Sequence, residues 1–222
     1  LLNQLKTIDP RFSDRIFIEE LLKNKQAYIA TGSDNSARYF NYYFGKYPHL
    51  IRSNRTSVAI LQGDESTADL QALGHDIFDY FGLGCRNVSK VFVKNQEQLT
   101  QLLDAIQSFE WVANHHKYFN NYEYNKSIYL VNGNSHLDNG FLLLKESTDL
   151  VSPIGVLFYE IYEDELELQS KLSALSSQIQ CLVGSSRFSI PGIVAFGQTQ
   201  CPAPWDYADG VDTLQFLSGL GV

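Results

Sequence analysis

The segment from residue 66 to residue 93 constrains the fold most, because a helix pattern, a glycine-flanked turn and a strand pattern follow one another without a gap. Ser66-Thr67-Ala68-Asp69 has the form of a capping box, and apolar residues then recur at helical spacing along residues 68–81. The turn Gly82-Leu83-Gly84-Cys85 leads into the buried-strand pattern Val88–Val93. A helix followed by an apolar strand is a building unit of α/β proteins.

Strand and helix patterns alternate along most of the chain. Short apolar stretches predict strands at residues 27–31, 58–61, 88–93, 127–131, 154–162, 179–183 and 192–196. Apolar residues at helical spacing predict helices at residues 17–22, 36–44, 68–81, 95–109 and 165–176, and a hairpin-like turn is predicted at residues 132–134. Strands separated by helices are typical of βαβ units, so the predicted fold class is α/β, with a largely parallel sheet flanked by helices.

Composition agrees with a folded domain and argues against two classes of partner. Of the 222 residues, 44% are apolar and 13% aromatic, which is enough for one sizeable core. Lys and Arg number 17 against 25 acidic residues, for a net charge of -8, which argues against a nucleic-acid partner. The longest apolar runs, such as residues 155–159, are too short to cross a bilayer, so no membrane span is predicted. The chain lacks methionine even at residue 1, and we take it to be a segment of a longer protein.

Three cysteines, Cys85, Cys181 and Cys201, carry the most informative chemistry. Their number is odd and their spacing fits no metal site, which predicts a reducing compartment, the cytoplasm, and no bound metal. Cys85 lies in a tight turn whose glycines let other groups approach its backbone closely. A single cysteine is more often a small buried hydrophobe than a catalyst, so the turn alone leaves both interpretations of Cys85 open. Cys181 and Cys201 are predicted to be structural.

Five blocks of sequence resemble, in the same order, motifs of the aldehyde dehydrogenase superfamily. Residues 30–38 resemble the family's Thr-Gly-Ser turn, and residues 52–61 stand in place of its Glu-Leu-Gly-Gly-Lys-Ser-Pro stretch and the strand after it. Gly84-Cys85 falls where these enzymes have Gly-Gln-x-Cys. Residues 149–155 are similar to the Glu-Ile-Phe-Gly-Pro motif, and residues 195–198 to the late Pro-Phe-Gly-Gly motif.

Residues 80–90 are most similar to one branch of this superfamily, the acyl-CoA reductases of the LuxC type. The resemblance implies an aldehyde-dehydrogenase-like catalytic domain together with a remnant of the cofactor-binding domain. Residues 1–48 would be the tail of the nucleotide-binding domain, residues 49–200 the catalytic domain and residues 201–222 a C-terminal return segment. It also implies NADPH as the cofactor, a fatty acyl-CoA as the substrate, and a homo-oligomer as a possible assembly.

The resemblance gives four residues a role. The Cys85 thiolate would attack the thioester, release CoA and hold the acyl group until hydride from NADPH reduces it to the aldehyde. Ser33, Asp149 and Phe196 would contact the cofactor, with Asp149 in the place of the glutamate that holds a ribose. From the residues alone, Ser33 could equally be a helix N-cap and Asp149 an exposed loop acid. The asparagine that serves the family as an oxyanion donor belongs to the N-terminal half, which this sequence does not include.

Departures from the family pattern are also informative. Ile51 stands where the hydrolytic aldehyde dehydrogenases keep a glutamate that activates water. An aliphatic side chain cannot deprotonate water, so the acyl-enzyme should survive until it is reduced. His49 is either a substitute base or CoA-facing donor, or a surface residue, and His115-His116 is predicted to be a solvated pair. Arg86 either activates the adjacent thiol or forms an ion pair directed outward.

Two rival functions stay open at this point. One is an NAD(P)-dependent aldehyde dehydrogenase of the oxidising or short-chain acylating kind. The other is a non-catalytic domain that keeps the fold, because the sequence does not include the half that supplies most of a dinucleotide site.

The interpretation of Ile51 predicts the behaviour of Ile51→Glu in the full-length protein. A carboxylate beside the thioester should act as a general base and open a hydrolytic branch, measured as CoA and fatty acid released without NADPH consumption. Because a positioned base contributes about 10²–10⁴-fold to such a step, hydrolysis should rise well above the parent's rate. An acyl-enzyme no more labile than the parent's between neutral and mildly alkaline pH would mean that position 51 does not face the thioester.

Overall fold

In the computed structural model, which describes residues 1–188 and 190–221, the chain divides into two units, Leu1–Ser53 and Asn54–Val222. The first unit consists of α1 (Leu2–Ile8), a 3₁₀ turn (Pro10–Asp14), β1 (Tyr28–Thr31), α2 (Asp34–Phe44) and β2 (His49–Arg52). Strands β1 and β2 pair in parallel, with Tyr28 opposite His49. The buried Tyr28 ring stacks on Phe44 at a centroid distance of 4.1 Å, which packs α2 against β1.

The second unit contains the larger sheet. Its elements are β3 (Thr56–Ile60), α3 (Thr67–Phe78), β4 (Val88–Val93), α4 (Gln96–Ala105), α5 (His116–Val131), β5 (Leu137–Asp138), β6 (Leu143–Glu146), β7 (Val156–Ile161), α6 (Glu165–Ala174), β8 (Ile179–Val183) and α7 (Thr213–Ser218). Short 3₁₀ segments lie at Asp79–Gly82, Gln107–Asn114 and Ala208–Gly210.

The six strands of this sheet follow the order β5-β6-β7-β4-β3-β8, and every neighbouring pair except β5 and β6 is parallel. Strands β7 and β4 lie in the middle of this order, and all residues of β3 are buried. One side of the sheet packs against α3 and α4, while α6 and α5 pack against the other. The structure therefore confirms the predicted α/β class with a largely parallel sheet flanked by helices.

The helix before the cysteine turn begins as its capping box predicts. The Ser66 hydroxyl accepts from the Asp69 amide at 3.2 Å, and the Asp69 carboxylate accepts from the Ser66 amide at 3.0 Å. The helix then buries the apolar face predicted from its spacing, including Leu73, Ile77 and Phe78. It packs so closely at Gly74 that an added Cβ would lie 2.3 Å from the Phe109 ring.

Two element predictions were wrong because apolar runs were assigned without their tertiary context. Residues 127–131 are not a strand but the end of α5 (His116–Val131), which buries Tyr122 and Tyr129 on one face. The supposed hairpin turn after it is a Schellman-type helix end, with Gly133 at φ +65° and the Asn134 amide donating to the Tyr129 carbonyl at 2.9 Å.

Two further segments also differ from prediction. Residues 17–22 lie outside any helix, and the helical segments of that region are α1 and the 3₁₀ turn that follows it. Residues 192–196 form only a single bridge, between Val194 and Val183 of β8. In the part of the chain that the structure describes, no helix is long and apolar enough to cross a membrane.

Candidate active site

The site is built around the nucleophile loop, which we define as residues 82–87, between α3 and β4. The Asn87 amide donates to the Gly84 carbonyl at 3.0 Å, which closes a four-residue turn with Cys85 and Arg86 at its central positions. Cys85 is exposed. The turn therefore presents the thiol to solvent from a fixed piece of backbone.

A buried asparagine side chain holds the nucleophile loop in place. The Asn87 side-chain oxygen accepts from the Gly84 amide at 2.8 Å. Its nitrogen donates to the carbonyls of Asp79 at 2.8 Å and of Asp76 at 3.1 Å. These carbonyls lie at the end of α3, where the helix leaves carbonyl groups unpaired. One side chain thus satisfies the helix end and fixes the turn that carries Cys85.

The backbone between α3 and the nucleophile loop is strained. Tyr80, Phe81 and Gly82 have φ values of +54°, +59° and +71° in succession. A left-handed conformation costs a residue with a Cβ on the order of 1–3 kcal/mol and persists only where the surroundings enforce it. Here the Phe81 ring stacks on His115 at 3.9 Å. His115 is half-buried and also caps α5 by accepting from the Tyr118 amide at 3.3 Å, so it is not the solvated side chain that was predicted.

The fully buried Ser57 of β3 ties the nucleophile loop to β8. Its hydroxyl donates to the Cys85 carbonyl at 3.0 Å and accepts from the Cys181 amide at 3.1 Å. The Cys181 thiol is buried, and burial raises its pKa. The Arg86 guanidinium lies 3.4 Å from this thiol and donates to the Thr199 carbonyl at 2.9 Å. Arg86 thus points into the protein and contacts Cys181, not Cys85, its neighbour in sequence.

A fully buried carboxylate on α3 holds the turn at residues 196–199, which overlaps residues 195–198, the stretch similar to the late Pro-Phe-Gly-Gly motif. Asp76 accepts from the Gly197 amide at 2.6 Å, the Thr199 amide at 3.0 Å and the Thr199 hydroxyl at 2.8 Å. Burial raises the pKa of Asp76, and these three donors oppose the shift. Gly197 has φ +77°, and an added Cβ would lie 3.1 Å from the Cβ of Ala72 on α3, so this turn requires glycine.

Two of the four predicted site residues lie in loops that adjoin the start of β4, and a third lies in a turn held by α3. Cys85 lies just before this strand, and Phe196 is half-buried in the turn that Asp76 holds. Asp149 is exposed in the loop between β6 and β7, and the Ser89 hydroxyl of β4 donates to the carbonyl of the next residue, Leu150, at 2.7 Å. The cofactor roles of Asp149 and Phe196 stay predictions.

The fourth predicted residue and two others belong to the first unit. Ser33 caps α2, because its hydroxyl accepts from the Ser36 amide at 3.3 Å, and its cofactor role stays a prediction. His49 and Ile51 lie in β2, where the His49 Nδ1 atom is 2.7 Å from the Tyr47 carbonyl. That carbonyl can only accept, so Nδ1 of His49 carries the proton.

The residues that hold the site were not found from the sequence. Asp76 had a visible signal, because it lies three positions after Leu73 and one before Ile77, on the face of α3 that the apolar spacing predicts to be buried. An acidic residue at such a position needs buried hydrogen-bond partners. Asn87 and Ser57 had none, because the partners of Asn87 depend on how the chain turns after α3, and those of Ser57 on how β3 and β8 come together. No group of three or more His, Cys, Asp or Glu residues that could hold a metal ion occurs among residues 1–188 and 190–221.

Solved structures that resemble this chain are aldehyde dehydrogenases. Delta-pyrroline-5-carboxylate dehydrogenase from Mycobacterium tuberculosis, bound with NAD, matches 71% of this chain at 15% identity and a TM-score of 0.50. An aldehyde dehydrogenase from the same organism, complexed with NAD+, matches 72% at 16% identity and a TM-score of 0.50. The fold is that of an aldehyde dehydrogenase catalytic domain.

The likeness to aldehyde dehydrogenases is one of fold and covers only part of those enzymes. The chain spans 36% of the length of the first structure and 40% of the second. No protein-family model matches the sequence, and a search of curated proteins finds no significant match.

The Asp76 network predicts a stability effect for Asp76→Asn. An asparagine offers one acceptor in place of two and turns an N–H group toward backbone N–H donors, so at least one buried donor loses its partner. We expect a loss of about 1–3 kcal/mol in the free energy of unfolding. Urea denaturation of the full-length protein measures it, with Asp104→Asn, on the exposed side of α4, as the control. Equal stability of the two variants would show that the carboxylate is not needed to hold the turn.

Proposed function

We propose that the protein reduces a fatty acyl-CoA thioester to the aldehyde with NADPH, through an acyl group held on Cys85. The observation that carries this proposal is an exposed cysteine in a turn fixed by buried side chains, in a chain whose fold is similar to that of aldehyde dehydrogenases. The segment that leads into this turn has Tyr80 and Phe81 in the left-handed conformation, which costs free energy. A simple connection between helix and strand would not require this cost. The geometry of the turn suits a nucleophile that must reach a substrate.

The first chemical step belongs to Cys85. Its thiolate adds to the thioester carbonyl, the carbon–sulfur bond to CoA breaks, and CoA leaves as a thiol after taking up a proton. Exchange of one thioester for another is nearly thermoneutral, so no strong acid is required for the leaving group. Negative charge that develops on the carbonyl oxygen needs preorganised donors. In the described part of the chain no hydrogen bond uses the Cys85 amide, which leaves this N–H as a donor for that oxygen.

The residues in the predicted cofactor region have chemistry that suits a dinucleotide. Asp149 is an exposed carboxylate, and a carboxylate can accept hydrogen bonds from the two hydroxyls of a ribose. When bound, NADPH supplies the hydride that reduces the acyl-cysteine to a thiohemiacetal. The thiohemiacetal carbon–sulfur bond then breaks, which releases the aldehyde and restores the Cys85 thiol. In this proposal Phe196 adds a cofactor contact from the same unit.

An NAD(P)-dependent aldehyde dehydrogenase is the second candidate, and the structural neighbours support it comparably, since two of them contain NAD. Such an enzyme would oxidise free aldehyde and then hydrolyse or transfer the acyl group. The presence of Ile51 in place of the water-activating glutamate favours reduction. We place either activity in the cytoplasm, where the three free cysteines stay reduced.

The proposal predicts that Cys85→Ala abolishes both acyl-enzyme formation and aldehyde production in the full-length protein. Removal of a covalent nucleophile removes the step itself, so the rate should fall by several orders of magnitude. Mass spectrometry after incubation with a long-chain acyl-CoA measures the acyl-enzyme, and NADPH oxidation measures reduction. Cys201→Ala, at an exposed cysteine, is the matched control and should behave like the parent.

Three outcomes would decide against the proposed reaction. Acyl labelling that persists in Cys85→Ala would mean that another residue is the nucleophile. A parent enzyme that oxidises free aldehyde with NAD but does not react with acyl-CoA would be an ordinary aldehyde dehydrogenase. A parent with neither activity, in which mild alkylation does not label Cys85 before Cys181 and Cys201, would be a non-catalytic domain.

A further inference from the structure

The loop at residues 147–150, which contains Asp149, is anchored at both ends by consecutive residues of β4. The Lys90 ammonium donates to the Ser147 carbonyl at 2.9 Å, and the Ser89 hydroxyl donates to the Leu150 carbonyl at 2.7 Å. These carbonyls are 57 and 61 positions away from their partners in sequence. Two carbonyls on either side of Asp149 are therefore fixed by one strand of the sheet.

The Ser89 anchor is a short relay of hydroxyl groups. Its oxygen lies 2.6 Å from the hydroxyl of Thr56 on β3. Because the single Ser89 proton goes to the Leu150 carbonyl, the Thr56 hydroxyl must be the donor in this second bond. Thr56 is buried, so the relay reaches from the buried start of β3 to the loop.

The Lys90 anchor uses a fully buried ammonium group. It forms an ion pair with Glu160 of β7 at 2.6 Å, and Lys171 of α6 pairs with the other oxygen of the same carboxylate. The ammonium also lies 5.0 Å from the centre of the Phe92 ring. Burial lowers the pKa of Lys90, and the hydrogen bond to Glu160 opposes the shift.

Stability alone gives little reason to bury a lysine at this position. Replacing a buried ion pair with well-packed apolar side chains is often neutral or stabilising. Glu160 would also retain Lys171 as a partner if Lys90 were absent. What Lys171 does not supply is the bond to the Ser147 carbonyl, which only Lys90 makes among the described hydrogen bonds.

Asp149 itself is constrained in its backbone and free in its side chain. Its amide donates to the Ser147 hydroxyl at 3.1 Å, inside the anchored loop. The residue is exposed, and no hydrogen bond or ion pair to its carboxylate occurs among residues 1–188 and 190–221. An exposed carboxylate on a fixed backbone can accept hydrogen bonds from the hydroxyl groups of a ligand.

We propose that Lys90 is a positioning residue, which holds the Ser147 carbonyl so that the Asp149 carboxylate meets the ribose hydroxyls of the dinucleotide. This inference rests on the proposed function, which assigns Asp149 to the cofactor. Lys90 touches neither cofactor nor substrate. Its effect should therefore appear in cofactor affinity and be absent from the attack of Cys85 on the thioester, which precedes hydride transfer.

The test compares Lys90→Met with Lys171→Met in the full-length protein. Both variants remove one lysine partner of Glu160, but only the first removes the anchor of the loop. Lys90→Met should raise the KM for NADPH by about tenfold or more, as expected when a hydrogen bond to a charged group is lost. Lys171→Met should leave this KM at the parent value. Both should form the acyl-enzyme on Cys85 at the parent's rate in the absence of NADPH.

A double variant separates positioning from a general effect on the fold. If Lys90 acts through Asp149, Lys90→Met should raise the KM for NADPH little or not at all in a protein that already carries Asp149→Ala. An equal effect in both backgrounds, or a parent-like KM in Lys90→Met, would overturn the inference. If Lys90→Met does not fold, Lys90→Gln, which keeps a donor without the charge, takes its place and should raise the KM less than tenfold but measurably.

The results that would disprove the proposed function differ from those that would disprove only the positioning role of Lys90. If Asp149→Ala has the parent's KM for NADPH, the ribose assignment is wrong, and the positioning role of Lys90 is wrong with it. If Asp149→Ala raises the KM and the Lys90 variants do not, only the positioning role is wrong. A parent that forms no acyl-enzyme on Cys85 would overturn the proposed reaction before either variant is measured.

Discussion

The Asn87 side chain is the interaction on which the candidate site depends most. It is the buried group that contacts both the end of α3 and the turn of the nucleophile loop. An amide can do this because it has both a donor and an acceptor. Its NH₂ group donates to the carbonyls at the helix end, and its oxygen accepts from a backbone N–H of the loop. An aspartate of the same shape could only accept when ionised and would face the carbonyls with negative charge. The exposed Cys85 owes its defined position to this buried amide and to the Ser57 hydroxyl, which donates to the Cys85 carbonyl.

Buried charged groups, together with the apolar packing of Phe196 and Leu150, set the positions of two other loops. The carboxylate of Asp76 fixes the turn at residues 196–199, and the ammonium of Lys90 fixes the loop at residues 147–150. A buried charge that loses its partner carries a large desolvation penalty, so each of these groups strongly selects one conformation of its loop. Apolar contacts are less directional and would permit the loops to slide. The site thus combines an apolar sheet, which gives stability, with polar anchors, which give geometry.

The sequence predicted the local features well and the distant ones poorly. Helix α3, its capping box and the strand Val88–Val93 follow from spacing within a dozen residues, and the structure confirms them. The end of α5 was predicted as a strand because the β-branched Ile128 and Val131 favour strands locally, whereas Tyr122 and Tyr129 on the buried face of the helix decide its state. Asp76 and Lys90 were missed as anchors because their partners lie far away in sequence, and Asn87 because its partners depend on how the chain turns after α3. The resemblance to aldehyde dehydrogenases predicted the fold class, but it says nothing of these contacts.

The separation of these partners along the chain has a consequence for how the protein reaches its native state. Ser57 contacts Cys181 across 124 positions, and Asp76 contacts Thr199 across 123. Topologies dominated by such non-local contacts fold slowly, because the chain entropy of closing long loops must be lost before any contact forms. During synthesis, Cys85 emerges long before β8 and the turn at residues 196–199 can surround its loop. The nascent chain therefore exposes the Cys85 thiol before its loop is held in place, beside strands that have not yet paired. At this stage misfolding and oxidation compete with completion of the sheet.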